Sequence, residues 1–451
     1  MDAIKAGFIG FAERNIPNEV AKRLCKTAVS QLLSLGWDVC ETGPVSDDDT
    51  YEEADTAITR LKKQEFNLLV VCIAGWIPTH AVIHVTDQFR YVPMLLWGLT
   101  GWMEDGRFIT TAPQAGTTAL RQVMQGLGYR FRYVYNRIDQ PIPLEQINHF
   151  GQAALAADLL RTARIGSMGY RDMLLYGTMF DGLSLRRDIG VEVEFFEMLE
   201  IIRNLDQTDE AEVQKITAYC MKNWIFDKPI DQSVLIKGIK YFLALREIIQ
   251  RRKFDAVTLI DVDGMKKLEG FPPAMVFMLI ADQLDVCTIP ENDIIGNVTQ
   301  LMIKFLTGQQ AHYMEFYEFF EDRVLIGVPD YIPSSAVYGD VHLLPARFGQ
   351  FQGSLLNVSR VRDGRVTLLR LIEDRGSYSM HLVVGTAVQP RSWEEYGWTQ
   401  PAPQLPSLEV ILDQPVSQFA DKVASQHTIV AYGDWTDSIE QLCLILGIQI
   451  I

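Results

Sequence analysis

The side chains best suited to chemistry are two glutamates and a histidine in the second half of the chain. Glu291 lies in Thr288-Ile289-Pro290-Glu291-Asn292-Asp293, where an apolar strand-like run gives way to a helix. Glu315 follows 24 positions later in Tyr313-Met314-Glu315-Phe316-Tyr317. His427 stands in Ser425-Gln426-His427-Thr428, at the head of an apolar run over 429–432. Two carboxylates and an imidazole are a ligand set that a divalent cation such as Mn²⁺ accepts. The same groups can move a proton beside that cation. Each abuts apolar strand residues, where an unpaired carboxylate is costly to bury. A structural ion pair would account for any one of them; a metal site would account for all three together.

Residues so far apart meet only if the elements between them bring them together. Up to about residue 160, short apolar runs alternate with amphipathic stretches. Strand-like segments at 6–11, 37–41, 66–74 and 91–97 are separated by helical spacing over 19–35 and 51–63. The continuous run 66–74 (FNLLVVCIA) fits a strand covered on both faces. Alternation of this kind predicts a parallel sheet with helices on both sides. A second such unit runs from about 164 to 308, with helices at 209–224, 232–253, 272–284 and 294–306 and strands at 255–262 and 286–290. Gly308 falls where a left-handed helix cap wants glycine. Glu291 then stands at the C-terminal end of a parallel strand, where open α/β sheets bind ligands.

Beyond 310, strand-like runs at 324–328, 366–372 and 378–388 dominate, a proline- and tryptophan-bearing loop spans 390–406, and a helix at 437–446 precedes a closing strand at 447–451. The fold class predicted is α/β: two parallel-sheet, Rossmann-like domains (1–162 and 163–308, the second carrying Glu291), then a mostly antiparallel, barrel-like β domain (309–451) carrying Glu315 and His427.

Composition narrows the function. Hydrophobic residues are 48% and charged residues 22% of 451, ordinary for a soluble globular enzyme. A net charge of −16 disfavours nucleic acid as a partner. No apolar run reaches the roughly 18 residues that a membrane helix needs, and Asp2 interrupts any signal layout at the N-terminus. The glycine fingerprint of a dinucleotide site is missing after the first strand, where Gly7 and Gly10 have no successor. The six cysteines form no CxxC pair and read as reduced core thiols of a cytoplasmic protein.

The stretch DVDGMKKLEGFPPAMVFMLIADQLDVCTIPENDIIGNVTQLMIKFLTGQQAHYMEFY resembles the central segment of L-arabinose isomerases. In that family a "DLHGLKxLPG" element is followed by "EGD", a helix, "TG" and "MEDYTY". Residues 261–270, Glu291-Asn292-Asp293, Thr307-Gly308 and Met314-Glu315-Phe316-Tyr317 fall in that order at nearly that spacing. Pro345-Ala346-Arg347-Phe348 resembles the family's "PAR" element, and Gln426-His427-Thr428 its "HHT" tail. The likeness covers roughly 255–451 and points to the arabinose/fucose isomerase superfamily.

That resemblance implies a metal-dependent aldose–ketose isomerase acting on an open-chain sugar through a cis-enediol. Glu291 and Glu315 would be the metal-binding, proton-moving acids, His427 the third ligand, and Mn²⁺ the most fitting cation. It also implies a cytoplasmic homo-oligomer, a hexamer with active sites at subunit boundaries. Asn292 replaces the family's glycine, and Gln426 the histidine before His427. The arabinose enzymes place a further metal histidine after "MEDYTY"; residues 324–330 hold none, and Asp330 is a candidate substitute. The L-fucose isomerase branch is similar in using two acids and one histidine. Leu96-Trp97-Gly98-Leu99 stands in place of the substrate-contacting "FHTQFN", which leaves the sugar open. A non-catalytic sugar-binding relative and an isomerase of a sulfonated or 6-substituted hexose are the alternatives.

Gln426 and Arg171 are candidates for substrate contact. Arg171 follows a strand end, where it could meet an anionic group on a sugar or cap a helix. His312 precedes Glu315 by three positions, so strand alternation turns it to the opposite face. His342 and His381 read as structural or surface groups. His80 and His84, four apart on one helix face, read as packing.

Overall fold

A computed structural model describes residues 3–348, 351–392 and 406–451. The chain forms two compact units, one of residues 3–159 with 437–448 and one of residues 160–436 with 449–451. The expected loop over 390–406 falls largely outside the described residues. Among those residues, no helix is long and apolar enough to cross a membrane.

In the first unit five parallel strands, β1 (Lys5–Phe11), β2 (Asp38–Val45), β3 (Leu68–Ile73), β4 (Met94–Gly98) and β5 (Phe131–Tyr135), lie in the order β2-β1-β3-β4-β5. Every residue of β3 is buried, as expected of a strand with helices over both faces. Ile9, Phe11, Leu69, Val71, Ile73 and Leu96 pack on one side of the sheet with Ala54, Leu61, Val82 and Leu120 from the crossover helices. Five of the six cysteines are buried in the structure, and all six are free thiols.

The second unit opens on a parallel sheet of β6 (Arg164–Met168), β7 (Glu192–Phe196), β8 (Ala256–Leu259) and β9 (Cys287–Ile289), in the order β9-β8-β6-β7. The strand expected over 255–262 ends at Leu259. The reason lies about 90 residues upstream: the buried Asp172 carboxylate accepts the N–H groups of Val262 and Asp263, both at 2.7 Å, and draws the chain into a wide helical turn over Asp261–Lys266.

A closed antiparallel barrel of six strands follows: β10 (His312–Phe319), β11 (Arg323–Gly327), β12 (Gly364–Asp374), β13 (Ser377–Val388), β14 (Ser407–Leu412) and β15 (His427–Tyr432). The order is β12-β15-β10-β11-β14-β13, and β13 pairs back onto β12. The closing strand Gln449–Ile450 lies parallel to β13. The hairpin Val341–Phe348/Phe351–Asn357 stays out of this barrel and joins Trp224–Phe226 in a sheet of its own. The residues resembling the "PAR" element lie on that hairpin.

Candidate functional site

Three local devices converge on one place. Glu291 follows β9 after a single residue, Pro290, and both it and Asn292 adopt left-handed backbone (φ 64° and 54°). Non-glycine residues rarely tolerate that region, and asparagine does so best. The position at which the resembling motif has glycine therefore holds a residue fit for the same turn. Two contacts fix it: the Asp261 carboxylate accepts the Glu291 N–H at 2.8 Å, and the Asn292 amide donates to Met168 O at 2.8 Å and Ser167 Oγ at 3.0 Å.

Glu315 and His427 reach the site by sheet pairing. On the antiparallel strands β10 and β15 they are direct cross-strand partners, so both side chains project from the same face. His427 Nε2 stands 3.6 Å from Glu291 Oε2 and 3.7 Å from Glu315 Oε1, too far for hydrogen bonds. Ligand atoms of the three residues all lie within 4.8 Å of one another, and among the described residues no other such group of acids, histidines or cysteines forms. His427 is buried, yet its Nε2 has no hydrogen-bond partner among the described residues. An orphaned imidazole nitrogen facing two carboxylates fits a divalent cation. Two donors at roughly 2.1 Å from one ion lie at most about 4 Å apart, and both histidine separations fall within that span.

The other imidazole nitrogen is tied down. His427 Nδ1 meets Asp293 Oδ2 at 2.8 Å, the arrangement by which ligating histidines are oriented. Asp293 also caps the helix Ile294–Thr307 by accepting the Gly296 N–H, and it takes a bidentate pair of bonds from Arg370 on β12 at 2.6 and 2.8 Å. A Cβ on Gly296 would stand 2.5 Å from Asp293 Oδ2 and 2.8 Å from Arg370 Nη1, so only glycine leaves room for the pair. Sequence reasoning missed the Asp293–Arg370 pair. Its signal was an aspartate at a helix start, in the third position of the "EGD"-like motif.

Charge follows from this packing. Burial pushes the Glu291 carboxyl up to about 8; His427 opposes that, while Asp261, Glu315 and Asp172 add to it. Burial would lower His427, but Asp293, Glu315 and Glu291 outweigh it and hold the imidazole near 9. Burial also works to raise Asp293, yet Arg370 and His427 keep it far below the usual carboxylate range. Burial, then the neighbouring Asp261, raises Asp172 to about 7. Without a cation the site thus holds its protons tightly, and a bound cation would have to displace them.

The remaining candidates divide. Gln426 joins the group by donating its amide to Glu291 Oε2 at 2.5 Å. Arg171 lays its guanidinium over the Tyr176 ring at 5.0 Å and against Met179 Sδ at 3.4 Å. Asp330 stays outside the three-residue group. It accepts from the Tyr313 hydroxyl and the Tyr331 N–H and lies 3.7 Å from Lys266 Nζ, so its oxygens are already engaged. His312 turns to the other side of β10 and is buried beside Tyr432, where desolvation lowers it to about 3. His381 is buried against Phe419, and His342 pairs with Asp227 near the surface. His84 finds Asp55 at 2.9 Å, a partner that no local motif announced, and both His80 and His84 pack on Tyr51.

No protein-family model matches the chain. L-fucose isomerases from two strains of Bacteroides fragilis are each 29% identical to it over 146 residues, covering 30% of this chain and 24% of theirs. These are distant relatives, and the match spans about a quarter of their length. Among solved structures, an ABC-transporter periplasmic solute-binding protein from Actinobacillus succinogenes 130z, with bound D-allose, is 12% identical, covering 67% of this chain and 91% of that one at a TM-score of 0.16. A LacI-family transcriptional regulator from Burkhoderia phymatum is 10% identical, covering 69% and 94% at a TM-score of 0.17. At such TM-scores neither bears on the fold or the function.

Proposed function

We propose that the chain is a metal-dependent aldose–ketose isomerase acting on an open-chain sugar. The observation that carries this reading is the convergence of Glu291, Glu315 and His427 around an unpartnered Nε2. The distant likeness to L-fucose isomerases supports the sugar as substrate. Glu291, Glu315 and His427 would hold the cation, and the motif resemblance favours Mn²⁺. When bound, such an ion polarises the substrate carbonyl and acidifies the neighbouring C–H.

The chain's own residues do the rest. One glutamate removes the proton from C2 of the aldose, which leaves a cis-enediol, and returns it to C1. The other carries the hydroxyl proton between O2 and O1, so the product ketose has the same atoms as the aldose. Gln426 donates its amide to Glu291 Oε2 and so steadies that carboxylate. Asp293 fixes the His427 ring. General acid–base action of this kind contributes roughly 10²–10⁴-fold.

The test is C2–H exchange in D₂O, followed by NMR with Mn²⁺ and a panel of aldoses. Exchange with one sugar names the substrate; no exchange with any would overturn the reading. E315Q is expected to lower turnover by about 10²- to 10⁴-fold while circular dichroism stays unchanged. By the same resemblance we infer a cytoplasmic homo-oligomer, a hexamer with sites at subunit boundaries. The exposed apolar residues Leu174, Tyr176 and Leu183 (67, 80 and 83% accessible) support a covered surface. Light scattering is expected to return an oligomer's mass, and a monomer's mass would exclude it.

A further inference from the structure

We propose that Lys266 is a positioning residue for the Glu291–Glu315–His427 centre, its ammonium joining two carboxylate arms that support Glu291 on one side and His427 on the other. The proposal rests on the metal-centre reading above.

Lys266 ends the wide turn after β8, and its side chain is only 14% accessible. Nζ lies 3.0 Å from Asp261 Oδ2 and 3.7 Å from Asp330 Oδ2. Each aspartate uses its other oxygen toward the site. Asp261 Oδ1 accepts the N–H of Glu291, the residue held in left-handed backbone. Asp330 Oδ1 accepts the Tyr313 hydroxyl at 3.2 Å, and the Tyr313 ring meets the His427 ring edge-on at 5.0 Å. One cation thus stands between an arm from the central sheet and an arm from the barrel. Both carboxylates are nearly buried, 1% and 8% accessible. Without Lys266 they would repel each other uncompensated, and both arms would move.

The alternative is that Lys266 acts on the cation only through its own charge and leaves both arms where they are. The two roles predict opposite signs. A buried positive charge this close repels a divalent cation, so if charge were all that mattered its removal would tighten Mn²⁺ binding. If Lys266 positions the arms, its removal weakens binding, as loss of a supporting partner commonly does by about 10- to 100-fold.

The experiment measures Mn²⁺ affinity of EDTA-stripped protein, by calorimetry or by the EPR signal of free Mn²⁺, for the wild type, K266M and K266R. Near-UV circular dichroism reports the fold. K266M is expected to raise the dissociation constant at least about tenfold, and K266R, which keeps a cation between the carboxylates, to recover most of the affinity. Where K266M does not fold, K266Q carries the measurement, because its amide can still donate to one carboxylate. Binding by the folded variant as tight as wild type, or tighter, overturns the positioning role alone. A wild type that binds no Mn²⁺ overturns the metal-centre reading and this proposal with it.

Discussion

The carboxylate of Asp293 serves three partners at once: the first turn of a helix, the guanidinium of Arg370 and the imidazole of His427. Removing its charge would leave Arg370, itself buried, without a counter-ion. Breaking one side of such a pair commonly costs about 3–5 kcal/mol, because the surviving charge stays in the interior. D293N keeps the shape and loses the charge, so we expect it to lower stability by about 3 kcal/mol or more. Urea unfolding measures this, and a loss under about 1 kcal/mol, the scale of an exposed ion pair, would show that the pair is not desolvated as described. The contrast with Glu291, Glu315 and His427 shows what the sequence carries at this scale. Those three stood out because a titratable group beside apolar strands needs an explanation wherever it occurs. Asp293 already had a sufficient local one, a helix cap, and nothing in its neighbourhood pointed to Arg370 and His427, 77 and 134 residues away.

Elements were legible where their pattern is local. The buried run of β3 and the helix over Ile294–Thr307 with left-handed Gly308 behind it declare themselves within a few residues. The early end of β8 does not, because Asp172 sets it from 90 residues upstream. The hairpin Val341–Phe348/Phe351–Asn357 was equally hidden, since the strand it joins lies at Trp224–Phe226. Glycine substitutions separate the two kinds of constraint. Alanine normally favours a helix over glycine by about 1 kcal/mol. At Gly296, however, the added carbon would meet Ile289 Cδ1 at 2.4 Å as well as the Asp293–Arg370 pair. We expect G296A to destabilise by about 1–3 kcal/mol through overpacking. Gly126, at the end of the helix Pro113–Gly126, has open space where its Cβ would go, and G126A is expected to stabilise by about 0.4–1 kcal/mol. Thermal melts compare them, and equal shifts of the same sign would contradict the packing around Asp293.

At the scale of the whole molecule, all three candidate ligands belong to the unit of residues 160–436 with 449–451. The other unit has a parallel sheet and a hydrophobic core of its own. Units with separate cores need not unfold as one, and a cation that binds a single native unit stabilises that unit by mass action. Differential scanning calorimetry of the stripped protein is therefore expected to show two transitions. Mn²⁺ at about 100 times its dissociation constant should stabilise one of them by about 2.7 kcal/mol. At roughly 2 °C per kcal/mol for a unit this large, that is a shift of several degrees. The assignment can be checked without reference to the metal. G126A lies in the first unit and should move the transition that Mn²⁺ leaves in place, whereas G296A should move the one that Mn²⁺ raises. If Mn²⁺ and G126A act on the same transition, either the units melt together or the cation binds elsewhere, and repeating the Mn²⁺ titration on E315Q decides between them. A shift that survives loss of the Glu315 carboxylate places the ion outside the three-residue group, while one that disappears returns it there and leaves joint melting as the cause.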